Sequence, residues 1–113
     1  MMYPLIAAVL LFLVSPIKAD EVHTRDALNG YDKGASIVVA YLQGLRQGLE
    51  WANSANDHMH QKPVYCAPSK IALTLEQYVS VIKDHVSKHP ELNEMPVGLA
   101  MLVAAQEAFP CRD

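Results

Sequence analysis

Asp57, His58 and His60 fall within four residues of one another in the stretch DHMH, and His85 and His89 stand four apart near the end of a helical pattern. Imidazoles and carboxylates at these spacings can share a divalent metal ion. Each set also has a plainer reading. A His-x-His in a loop is ordinary exposed polarity, and histidines in the last turn of a helix suit the negative end of its dipole when protonated. The plainer reading is preferred for both, so no metal and no cofactor is expected.

The remaining reactive groups are the thiols of Cys66, in VYCAPS, and Cys111, in EAFPCRD. A free thiolate could act as a nucleophile. No nucleophile elbow, phosphate-binding glycine loop, dinucleotide fingerprint or zincin motif accompanies it. The carboxylates are scattered over helix faces and connectors, and nothing converges into an acid/base constellation. The chain is not expected to be an enzyme.

The fate of the thiols depends on the compartment. Residues 1–19, MMYPLIAAVLLFLVSPIKA, carry an apolar run from Leu5 to Val14, a Ser15-Pro16 break and a small residue at Ala19. That is the layout of a signal peptide cleaved after about Ala19, and the run falls short of the roughly 20 residues a membrane span needs. Residues 20–113 then form a single exported domain, expected in the periplasm. In an oxidising compartment a lone pair of cysteines in a short chain reads as a disulfide. Joining Cys66 to Cys111 closes a loop of 46 residues, which the chain-entropy model values at about 4 kcal/mol. A domain this small has a marginal core, so that contribution is a large share of its stability.

Charge removes another class of function. The nine Lys and Arg fall to eight when Lys18 leaves with the leader, against twelve Asp and Glu, a net charge of about −4. Such a balance repels phosphate backbones, and no basic stripe with interleaved aromatics offsets it. Nucleic acid is not an expected partner.

Helices must position whatever groups remain. Thr24 could cap a short turn, RDALN, ended by Gly30. The stretch from Gly34 to Asn53 places Ile37, Val38, Tyr41, Leu42, Leu45, Leu49 and Ala52 on one helical face. Within it Ala40, Gly44, Gly48 and Ala52 recur every four residues, a smooth stripe that reads as core or as a subunit interface. From Asn53 to Leu73 the periodicity fails, and this long loop is the first place to look for a binding surface. Thr74 and Gln77 form a capping box for a helix that runs to Lys88 with Leu75, Tyr78, Val79, Ile82 and Val86 on one face. Pro90 stops it. After the connector HPELNEMP, Pro96 opens a last helix carrying Val97, Ala100, Met101, Ala104 and Ala108. The fold class is all-α, a small bundle of about four helices with one disulfide.

Three segments in order, YLQGLRQG, YCAPSKIALTLEQYVSVIKDHVSKHPEL and AMLVAAQEAFPC, resemble the Rap/Tai immunity proteins, small exported bacterial proteins. The residues that carry the likeness are Tyr41 and Gly44, Tyr65 to Pro68, Thr74 and Gln77, His89 to Glu91, and Ala108 to Cys111. In that family the two matching cysteines are expected to be bonded. Many members have an earlier cysteine pair as well, and Tyr31 and Val38 stand near those places here. The resemblance implies binding to a type VI secretion amidase effector in the periplasm and occlusion of its peptidoglycan-cleaving site. It also implies the possibility of a homodimer.

Contacts with such a partner are expected from the long loop and the HPELNEMP connector: Asp57, His58, Met59, His60, Glu91, Glu94 and Met95. Met59, between two histidines, is either a core plug or an apolar anchor for the partner. The alternatives are a periplasmic acid-stress chaperone that exposes apolar surface on acidification and a binding module for another envelope protein.

Overall fold

The helix that the capping box announces starts where expected. Thr74 Oγ1 accepts from the Gln77 amide at 3.2 Å, and the Thr74 amide donates to Gln77 Oε1 at 2.8 Å. In the computed structural model, which describes residues 22–68 and 72–112, this is one of four α-helices. They are α1 (Thr24–Asp32), α2 (Ser36–His58), α3 (Leu75–Lys88) and α4 (Val97–Ala108), with a 3-10 turn, Pro90–Glu94, joining the last two. No strand forms among the described residues; His23 and Pro96 make an isolated bridge. The leader expected at residues 1–19 lies outside the described residues.

Among the described residues α3 and α4 have the most extensive packing, and α1 lies against α2, α4 and the 3-10 turn. Leu75, Tyr78, Val79 and Ile82 from α3 meet Val97, Ala100, Met101, Ala104 and Ala105 from α4, with Ala27, Leu28 and Leu42 closing the core. Ala105, not Ala108, takes the last buried place on α4, and Ala108 is exposed. Gly30 allows α1 and α2 to approach closely, because a Cβ there would stand 2.7 Å from Val38 Cγ2. Tyr31 and Val38 pack half-buried against the core.

Four local expectations need correction. Thr24 does not cap α1: it is the first helical residue, fully buried, and both its amide and its hydroxyl donate to the Met95 carbonyl at 2.9 Å. Gly30 does not end that helix, which runs on to Asp32 before Gly34 adopts φ 70°. The apolar face read along α2 is not one buried face. Leu42 is buried and Val38, Leu45 and Leu49 are half-buried, but Ile37 is 80% and Tyr41 44% exposed. The small-residue stripe is not core either, since a Cβ at Gly44 or Gly48 would meet nothing within 4 Å.

Candidate partner-binding surface

The long helix α2 runs past Asn53, where its apolar periodicity ends, and stops at His58 in a Schellman arrangement. The Gln61 amide donates to the Asn56 carbonyl at 2.7 Å and the His60 amide to the Asp57 carbonyl at 3.1 Å. His60 occupies the left-handed position, φ 57°, that glycine usually fills. Asp57 and His58 therefore sit in the last helical turn rather than in a loop, and Met59, 62% exposed, caps it. Met59 is therefore not a core plug.

Beyond this turn the chain is held against the bundle. The Asn53 side chain donates to the Tyr65 carbonyl at 3.1 Å and accepts from the Val64 amide at 2.7 Å. The Cys66 amide donates to the Phe109 carbonyl at 2.8 Å, and Cys66 and Cys111 form the expected disulfide, with both residues exposed. Tyr65 goes inward. It is 2% exposed, its ring meets the Tyr78 ring edge-on at 6.4 Å, and the two hydroxyls lie 2.7 Å apart. Tyr78 also donates to Glu50 Oε1 at 3.4 Å, and Glu50 accepts two bonds from Arg46. Burial pushes both phenols above the usual tyrosine range; for Tyr78 the hydrogen bond with Tyr65 adds to the rise, whereas for Tyr65 the same bond partly offsets it. These groups line a cleft of about 570 Å³ that Asp57 and Leu73 also border.

The second group of expected contacts lies on the 3-10 turn. Glu94 pairs with Arg25, Glu91 stands 3.6 Å from His89 Nδ1, and Met95 is 39% exposed with its carbonyl held by Thr24. The two groups are not one patch. Phe109, at the end of α4, bonds the loop segment, whereas the 3-10 turn leads into the start of α4. The length of that helix, about 18 Å, separates them.

A third surface takes in Ala40, Gly44 and Gly48 of the small-residue stripe that the sequence offered as core or as a subunit interface; its exposed aromatic neighbours were not foreseen. Ile37, Ala40, Tyr41, Gly44, Gly48 and Trp51 share one exposed, uncharged face of α2, with Trp51 69% exposed. Its signal was present: α2 is apolar on more sides than a three-helix core can cover, and two of its glycines have no space constraint to explain them. Exposed apolar area of this kind marks an interaction surface.

Among the described residues no helix is long and apolar enough to cross a membrane. Comparison with curated proteins and with solved structures gave no match. A sequence model of the Rap1a immunity proteins does match, over residues 18–111, a span that takes in all four helices, the disulfide and the Tyr65 anchor. With nearly the whole chain covered, the protein belongs to the Rap1a immunity protein family.

Proposed function

We propose that this protein is exported to the periplasm, where it binds a type VI secretion amidase effector and covers its peptidoglycan-cleaving site. Membership of the immunity family over residues 18–111 is the observation that carries the reading. The end of α2 is the main effector contact. Met59 offers an exposed apolar anchor on a turn fixed by backbone hydrogen bonds, so little ordering entropy opposes docking. Asp57, His58 and His60 supply the polar rim around it. Glu91, Glu94 and Met95 form a secondary contact, because Glu94 and the Met95 carbonyl are already engaged within the chain.

The open face of α2 pairs with a second copy of itself. From Ile37 to Trp51 it extends about 21 Å, carries no charge, and has glycines that let two backbones come close. A two-fold pairing of identical helices is self-complementary by construction. Isolation of the protein from the periplasm of cells under type VI attack tests the effector reading. A secreted amidase should be recovered bound to it, and recovery of the protein with no such enzyme would count against the assignment.

A further inference from the structure

His85 and His89 were four residues apart in the sequence with no third donor. The fold supplies one. Glu107, on α4, places Oε2 2.9 Å from His85 Nδ1, and the two imidazole rings lie 4.7 Å apart at 49°. One ligand atom from each of the three residues falls within 4.8 Å of the others. We propose that His85, His89 and Glu107 form a binding site for one divalent transition-metal ion of the zinc class, between the end of α3 and the end of α4.

Donor chemistry selects the ion. Two imidazole nitrogens and one carboxylate suit Zn²⁺, Ni²⁺ or Cu²⁺, whereas Ca²⁺ and Mg²⁺ require a shell of oxygens. Around a tetrahedral ion with bonds of about 2.1 Å the donors stand about 3.4 Å apart. The His89 and Glu107 side chains, 47% and 52% exposed, are free to close that difference by rotation, while His85 at 8% is fixed by the core. Glu91, 3.6 Å from His89 Nδ1, would hold that ring with Nε2 toward the ion. The surrounding charge favours a cation. Asp84, Glu91 and Glu107 face one ammonium, that of Lys88, which is paired with Asp84 at 3.3 Å. A cleft of about 400 Å³ opens beside His85 and Glu107 and leaves a fourth position for water or for a partner's side chain. The ion would tie the end of α3 to the end of α4.

The test is calorimetric titration of the tag-free exported form with Zn²⁺, followed by His89→Ala, Glu107→Gln and a His58→Ala/His60→Ala double variant. One ion per chain is expected. His89→Ala and Glu107→Gln, both at exposed side chains, should weaken binding at least 10-fold, and the double variant should bind as the wild type does. In the wild type, the ring resonances of His85 and His89 should shift together on adding Zn²⁺, a readout that needs no substitution. No saturable binding up to roughly 1 mM, undiminished affinity in Glu107→Gln, or loss confined to the His58/His60 variant would overturn the site.

Discussion

The hydroxyl of Tyr65, a residue of the loop, lies 2.7 Å from the hydroxyl of Tyr78 on α3, and both side chains are buried. This pair fixes the path of the chain between the disulfide and the core. Its two members are not equivalent, because Tyr78 has a second partner in Glu50 and Tyr65 has none besides Tyr78 among its hydroxyl's hydrogen bonds.

Removing each hydroxyl therefore has a different cost. Tyr78→Phe leaves the buried Tyr65 hydroxyl without a partner and should destabilise by about 1–3 kcal/mol. Tyr65→Phe leaves Tyr78 bonded to Glu50 and should cost about 1 kcal/mol or less. Urea denaturation of the two variants checks the order, and equal losses would contradict this hydrogen-bond arrangement.

The same pair sets an alkaline limit. Both phenols lie above their ordinary range in the folded chain because burial disfavours the phenolate. The folded state then holds its protons longer than the unfolded one. That contribution is fully present below the unfolded value near 10 and is lost as pH rises beyond it. Unfolding free energies measured from pH 8 to pH 12 should fall more steeply above about 10 in the wild type than in a Tyr65→Phe/Tyr78→Phe double variant.

The disulfide between Cys66 and Cys111 is exposed, so a reductant can reach it without prior unfolding. Cys66→Ser/Cys111→Ser should lose about 2–4 kcal/mol, and added dithiothreitol should lower the melting temperature of the wild type toward that of the variant. A wild-type melting temperature unchanged by reductant would show that the covalent tie adds little.

His60 holds a left-handed backbone that glycine adopts without cost. His60→Gly should leave stability unchanged or raise it by about 0.5 kcal/mol, whereas His60→Val should lower it by about 1–2 kcal/mol. Thermal denaturation of both variants separates this backbone effect from any role of the imidazole in effector contact, since both remove the ring.

Gly44 and Gly48 face open space within one chain. Gly44→Ala and Gly48→Ala should each stabilise the isolated helix by about 1 kcal/mol, yet weaken self-association if two copies pack across them. Sedimentation equilibrium of Gly44→Glu should show monomer where the wild type shows dimer, and a wild type that is monomeric at all concentrations would remove the pairing.

What the sequence made legible were features set by neighbours in the chain. The Thr74–Gln77 box, the Pro90 stop and the 3.6-residue pattern of α3 all act over a turn or two, and each stands where expected. The cysteine pairing followed from there being only two. What stayed hidden were decisions made by tertiary contact. Thr24 looked like a cap, but the Met95 carbonyl claims its hydroxyl. The end of α2 was invisible because histidine, not glycine, fills its left-handed position. Tyr65 looked like a loop residue and is core, and Glu107 had no reason to be read with two histidines until the fold brought the end of α4 against the end of α3. Ile37 and Tyr41 kept helical spacing and still faced outward, since spacing reports a face and not what covers it.

The central claim is tested most directly by the rate at which a purified type VI amidase effector cleaves peptidoglycan as this protein is added. Cleavage should fall to background at about one protein per enzyme, and Met59→Glu, at a residue 62% exposed, should weaken that inhibition at least 10-fold without loss of helix. A cleavage rate unchanged at saturating protein, across the amidase effectors the host encounters, would contradict the account.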